Sequence, residues 1–265
     1  MTKDKQADGG GDFQTDVVTR EIIRGKMLAM ADEMGVVVKR SSMSPVIYEV
    51  LDFACGFCDP EGQLVSQTNG ITVFTGTFSI QINIIRDKFR DRIQPGDIYM
   101  LNNPYEGGAH YNDVGVIKPI FVGGKLFAFA ITISHWTDIG GKSPGSLPAD
   151  STEIFQEGIC FPGIHIYRAG ERQEAVFEMI AHNVRIPKMA LGDLNAALAS
   201  VRIAENRCLE LCKKYDEQAV RETFHHILET SESVSRAAVL ALPDGIYHAE
   251  DWVDGDGITE DRFPT

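Results

Sequence analysis

Two apolar runs, Val114–Phe121 and Leu126–Ser134, are separated only by Val122-Gly123-Gly124-Lys125. Strand-forming residues on both sides of a Gly-Gly pair predict antiparallel strands joined by a tight turn. Such a hairpin sets the start of its first strand beside the end of its second. The start is preceded by His110-Tyr111-Asn112-Asp113, and the end runs into His135-Trp136-Thr137-Asp138. Two histidine–carboxylate pairs are thereby brought to one place, in a register that a slip of one residue would destroy. Imidazole nitrogens and carboxylate oxygens are the donors a borderline divalent metal takes. Loops at strand ends are where a rigid scaffold presents such groups. The stretch Asn102–Asp138 therefore reads as a metal site, with His110, Asp113 and His135 as the ligands that spacing suggests.

Length and charge narrow the setting. A chain of 265 residues with 43% apolar and 24% charged residues can bury a substantial core. Its net charge of −13 disfavours nucleic acid and anionic membranes as partners, because both require a basic face. No apolar run approaches the roughly 18 residues of a membrane span, and the polar start Met1–Gly11 lacks the hydrophobic core of a signal peptide. A cytoplasmic location is expected, where thiols stay reduced.

Periodicity places the other elements. Val18, Ile22, Ile23, Met27, Met30, Met34 and Val37 recur at helical spacing over 16–40, with Thr15 or Asp16 as cap. Residues 51–67 read as strand, Asp59-Pro60-Glu61-Gly62 turn, strand. Helical spacing returns over 78–93 and stops before Pro95-Gly96, and a strand follows over 97–101. Two further amphipathic helices, over 190–214 and 216–242, predict an antiparallel helical hairpin. After Pro243, residues 246–253 alternate like a strand and Asp254-Gly255-Asp256-Gly257 reads as a turn. The expected fold is α+β: a mixed sheet core with metal-binding loops, plus the helical hairpin. In order, we expect a flexible tail over 1–15, an α/β metal-site domain over 16–189, the hairpin over 190–242, and over 243–265 the start of a β segment completed by another chain.

Several motifs invite chemistry and receive a blander reading. Cys55-Gly56-Phe57-Cys58 resembles half a zinc knuckle, with Cys208 and Cys212 as the other half, but reads better as a buried strand. Gly140-Gly141-Lys142-Ser143 lacks the spacing of a phosphate-binding loop, so no ATP site is expected on this chain. Asp254, Asp256 and Glu260 depart from calcium-loop spacing. His165, His182, His225 and His226 are assigned to structure. Ser151–Gly158 reads as a short helix or a lid, with Glu153 and Glu157 as acid/base candidates. Trp136 and Tyr111 are candidates to line the pocket.

A family resemblance rests on several separate motifs. Ser44–Phe53, Asn103-Pro104-Tyr105-Glu106-Gly107-Gly108-Ala109-His110-Tyr111-Asn112-Asp113, His135–Gly141, Glu153–Gly158 and Asn183-Val184-Arg185-Ile186-Pro187 resemble the hydantoinase B/oxoprolinase family, in family order. The likeness runs from about Asp16 to Gly245 and matches the N-terminal half of the usual long subunit. It implies a partner, an ATP-binding subunit of the hydantoinase A type that phosphorylates the substrate, and either a second chain supplying the C-terminal half or a shortened product. It implies metal ligands at Glu49, His110, Asp113 and His135, suited to zinc or manganese. Asp138 and Asp52 are the candidates to orient a ligand or act as base. Two branches of chemistry follow, ATP-dependent carboxylation of ketones such as acetone or acetophenone, and ATP-dependent opening of cyclic amides (hydantoins, oxoproline, lactams). His135-Trp136-Thr137-Asp138 and Asn112 depart from the pattern associated with hydantoinase-like members, so the ketone carboxylase is the leading expectation. A non-catalytic assembly subunit is the third reading.

Overall fold

The computed structural model describes residues 15–251, together with the backbone of 252–253 and 263–264. In chain order the elements are α1 (Val17–Ser41), α2 (Pro45–Tyr48), β1 (Phe53–Cys58), β2 (Leu64–Gln67), α3 (Thr72–Phe89), β3 (Ile98–Leu101), β4 (Asp113–Val122) and β5 (Lys125–His135). There follow β6 (Ile164–Arg168), β7 (Glu171–Arg172), α4 (Glu174–Asn183), α5 (Pro187–Tyr215), α6 (Glu217–Leu240), β8 (Trp252–Val253) and β9 (Phe263–Pro264). The chain divides into two compact units, 1–227 and 228–265.

The first unit is built on a seven-stranded sheet of order β2-β1-β5-β4-β3-β6-β7. The fold is α+β as expected, but the sheet is antiparallel at every pairing rather than mixed. A parallel pair needs a crossover that returns a strand beside its predecessor. Here the one α-helix between strands of this sheet, α3, leads from β2 at one edge to β3 on the far side of the β4–β5 hairpin.

Both faces of the sheet are covered, which is why β1, β3 and most of β4 and β5 are buried without alternation. Phe53, Cys55, Phe57, Val114, Val116 and Ala130 face a core shared with α1, α4 and α5. Ala54, Cys58, Tyr99, Ile117, Ile131 and Ile133 face α3 through Phe74, Phe78, Ile82, Ile85 and Phe89. Cys55 and Cys58 thus point to opposite faces, as an odd spacing on a strand requires, and cannot share one ion. Gly56 between them makes room for α3, because a Cβ there would lie 2.4 Å from the Phe78 ring.

Local signals explain most boundaries. Asp16, not Thr15, caps α1, accepting from Val18 N and Thr19 N at 3.0 Å, while Thr15 binds Glu222. Helix α3 begins six residues before the expected Phe78. Its first turns, Thr72-Val73-Phe74-Thr75-Gly76-Thr77, have low helix propensity and are held by burial of Phe74 instead. Pro187 opens α5 at a position where its missing N–H costs nothing. The helices α5 and α6 are present, but the long helical partner of α5 is α1. Among the described residues, no helix is long and apolar enough to cross a membrane.

The second unit contains the end of α6, an irregular stretch and the short β8–β9 pair. The strand expected over 246–253 is confined to Trp252–Val253. The turn at Asp254–Gly257 and the N-terminal tail up to residue 14 lie outside the described residues.

Candidate metal centre

The hairpin register places the site. Asp113, first residue of β4, pairs directly with His135, last residue of β5. On the other side of His135, its backbone N–H donates to Asp52 O at 3.0 Å, continuing the β1–β5 ladder. Asp52, His135 and Asp113 are therefore neighbours across three adjacent chain segments at one end of the sheet. Gly115 and Ile117, two and four residues beyond Asp113, face α3, so Asp113 lies on that face by the period of the strand.

His110 arrives on the loop that leaves β3. Asn103 caps a turn of 3-10 helix, Pro104–Glu106, and Gly107 follows in the left-handed region. Asp113 Oδ2 accepts from His110 N at 2.8 Å and lies 3.0 Å from His110 Nδ1. Asp113 Oδ1 lies 2.7 Å from His135 Nδ1. One carboxylate, 1% exposed, thus bridges two imidazole rings, and the ligand atoms of all three residues lie within 4.8 Å of one another. Among the described residues this is the one such group of histidine, cysteine and carboxylate side chains. A buried acidic oxygen pair flanked by two ring nitrogens is a donor set that fits zinc or manganese.

The electrostatics follow from this packing. Burial opposes a charged His135 ring, but the hydrogen bond to Asp113 and the charges of Asp113 and Asp52 outweigh it and raise His135 above its ordinary range. Asp52 Oδ2 lies 4.0 Å from His135 Nδ1. Burial, with the Asp113 charge adding to it, pushes the Asp52 carboxyl upward against the pull of the two histidines.

Other expected site residues stand outside this cluster of three. Glu49 is exposed at the C-terminal cap of α2, three residues before Asp52. Asp138 has its oxygens engaged in the loop: Ser146 Oγ donates to Oδ1, as does Arg185 Nη1 at 2.9 Å, while Arg185 N donates to Oδ2. Arg185 also donates to Gly140 O and Gly141 O, so the His135–Gly141 and Asn183–Pro187 motifs form one clasp. Lys142 N and Ile159 N bind Gln156 O and Ile139 O, which adds the Glu153–Gly158 motif to it. Trp136 and Tyr111 are core residues, 1% and 5% exposed, rather than pocket lining. His165, assigned to structure, packs on Phe89 and Tyr99 beside Asp97.

Two asparagines hold the loop ends, a structural role of which the sequence carries no sign for either. Buried Asn102 donates to Tyr111 O and Ile159 O and accepts from Phe161 N. Buried Asn112 donates to Trp136 O and accepts at its own carbonyl from Trp136 N. Asn102 and Asn112 bracket the histidine loop, a position where a buried amide can satisfy stray backbone groups.

With this geometry in place, comparison with known proteins decides the family. The hydantoinase B/oxoprolinase family profile matches residues 16–263. The chain belongs to the hydantoinase B/oxoprolinase family. A protein of Pseudomonas sp. (strain NS671) named as the B component of a D-/L-hydantoinase is 34% identical over 245 residues, covering 91% of this chain and 41% of that protein. The crystal structure of the ATP-dependent caprolactamase from Pseudomonas jessenii superposes with a TM-score of 0.84 at 27% identity, covering 88% of this chain and 40% of that one. A nucleotide-free acetone carboxylase structure shares the fold, with a TM-score of 0.76 at 17% identity, over 80% of this chain and 28% of that one. The chain spans about 40% of the length of the hydantoinase and caprolactamase relatives.

Proposed function

We propose that this chain is the metal-bearing part of a hydantoinase B-type subunit in an ATP-dependent cyclic-amide hydrolase. The observation that carries this reading is the Asp113 carboxylate set between His110 and His135, in a chain whose relatives include a hydantoinase component and an ATP-dependent caprolactamase. It reverses the leading expectation from sequence, the ketone carboxylase, because the acetone carboxylase likeness is one of fold alone at 17% identity. The departures at Asn112 and Trp136 carry no weight for a ketone substrate either, since both residues serve the hairpin end.

Asp113, His110 and His135 would hold the zinc or manganese ion, with Glu49 as proposed fourth ligand. Such an ion supplies a Lewis acid and lowers the pKa of bound water. Asp52, with Oδ2 4.0 Å from His135 Nδ1, would accept or return a proton at the edge of the site. Asp138 holds its loop and takes no part in proton transfer. ATP would be used on a hydantoinase A-type partner, which activates the amide oxygen before ring opening, and the region that makes up the rest of the relatives' length would complete the subunit.

Two experiments test this. Elemental analysis of the wild-type chain against a His110→Ala, His135→Ala double variant should show about one zinc or manganese ion per chain, lost in the variant. The chain, assembled with its A-type partner and the remaining region, should open hydantoin, oxoproline or a lactam with ATP consumption. ATP-dependent carboxylation of acetone or acetophenone without any ring opening would restore the carboxylase reading.

A further inference from the structure

Among the described residues, one hydrogen-bonding side chain outside the metal site ties the His110 loop to α3. Gln81 is 1% exposed, on the α3 face that packs against the sheet. Its Nε2 donates to Gly107 O at 2.9 Å and to Thr77 Oγ1 at 3.4 Å. Gly107 stands three residues before His110. The other end of the same amide, Oε1, sits over Gly115, two residues after Asp113, where a Cβ would come within 2.2 Å of it. Among the described residues, Oε1 is a buried acceptor with no hydrogen-bond partner.

The two glycines fit this side chain. A Cβ on Gly107 would meet Ile80 Cγ2 at 2.8 Å and Gln81 Cγ at 3.4 Å, so the loop reaches α3 only because residue 107 has no side chain. A Cβ on Gly115 would displace the amide outright. One glutamine therefore spans from the loop before His110 to the strand after Asp113. Leaving one amide oxygen unpaired in a buried place costs free energy, and the geometry gives that cost a purpose: the amide is wedged where it fixes both flanks of the ligand segment. His110 needs such support, since its own ring is 58% exposed and its anchors among the described residues run to Asp113.

We propose that Gln81 is a positioning residue that clamps the 103–112 loop onto α3 and thereby sets His110 against Asp113. Residues that orient metal ligands from outside typically carry tenfold to hundredfold effects on metal affinity. The inference rests on the metal-site reading for its affinity arm and is independent of it for its loop arm.

The test is a double-mutant cycle of Gln81→Ala and Gly115→Ala in the full chain. Each is followed by zinc and manganese titration and by amide hydrogen exchange. Gln81→Ala removes the tether, and Gly115→Ala pushes the intact amide out of place. Each single variant should weaken metal binding about tenfold or more and accelerate exchange of the 103–112 amides, while β4 and β5 stay protected. In the double variant the methyl introduced on β4 meets no amide, so its effect should not exceed that of Gln81→Ala alone. Additive losses in the cycle would overturn the proposal. So would a Gln81→Ala protein whose loop exchange or metal affinity stays within twofold of wild type. Failure of wild type to take up either ion would count against the proposed function, and the exchange data would still decide whether Gln81 holds the loop.

Discussion

The two His-x-x-Asp segments, His110–Asp113 and His135–Asp138, have the same spacing and opposite fates. Asp113 turns inward between both imidazoles. Asp138 turns away and binds Ser146 and Arg185. The difference comes from where each carboxylate falls on the hairpin. Asp113 is inside the ladder, directly opposite His135, so strand pairing fixes its direction. Asp138 is three residues past the end of β5, where the backbone is irregular and its stray N–H and C=O groups need partners. Equal spacing in sequence does not carry equal roles here, because one carboxylate lies inside the ladder and the other beyond its end.

The comparison breaks most sharply at Asp113. Asp113→Asn should leave the backbone hydrogen bond from His110 N possible but remove the negative charge both rings share. We expect metal affinity to fall about a hundredfold or more, with ring-opening activity of the assembled enzyme lost in parallel. Asp138→Asn should keep metal within about threefold of wild type, as judged against the larger losses usual for ligand-orienting groups. Equal metal loss in the two variants, read by chelator competition, would return Asp138 to the site.

The second effect reverses the ranking. Asp138→Ala strips an almost buried carboxylate from the Arg185 backbone, the Arg185 side chain and Ser146. Removing one member of a buried polar set is costly, but Arg185 is 37% exposed and water can resolvate it. A loss of about 2 kcal/mol in urea unfolding is expected. Faster proteolysis within 139–158 should accompany it, because the clasp joining three motifs opens. The metal should remain.

How much of this was legible in the sequence depends on whether a feature is local. The β4–β5 hairpin and α1 were readable because a Gly-Gly turn and a seven-residue apolar stripe each report on neighbours in sequence. The convergence of His110, Asp113 and His135 followed from the hairpin alone. The first turns of α3 were not readable, since their helicity is imposed by burial of Phe74 against a sheet formed from distant segments. The strand β6, the two-residue edge strand β7 and the ten-residue helix α4 were likewise not readable, being too short to build a long periodic pattern of their own. The Asp138–Arg185 pair spans 47 residues and has no periodic trace at all. Both motifs were visible, but not that one exists to hold the other.

A third prediction uses the proton carried by His135. Its folded value is raised above the ordinary 6.5 because the pull of Asp113 and Asp52 exceeds the burial cost. A raised imidazole stabilises the fold fully below the unfolded value, and that contribution is lost as pH rises through the folded value. The metal-free chain should therefore lose stability as pH rises above 6.5 and through the raised folded value, and Asp113→Asn should flatten that slope. A divalent ion needs the neutral ring, so its affinity should rise over the same window. Asp138→Asn should alter neither curve. Urea midpoints taken across the window, with and without zinc, distinguish the two aspartates without any assay of activity.

The smallest effect probes the start of the second segment. Thr137 Oγ1 lies 2.6 Å from Ser44 Oγ, and Ser44 N in turn donates to buried Asp193, whose carboxyl is raised by burial despite the N–H groups of Met43 and Ser44. Thr137→Val keeps the shape and deletes one hydrogen bond, leaving the Ser44 hydroxyl to find another partner. The expected cost is about 1 kcal/mol in unfolding free energy. If the His135 side of the site is placed by β5 alone, metal affinity should not move, because the strand pairing of His135 with Asp113 does not pass through Thr137. If metal binding weakens along with stability, the loop beyond β5 shares in placing His135. The contrast between a ligand set by the ladder and a carboxylate set by the loop would then have to be redrawn one residue later than His135.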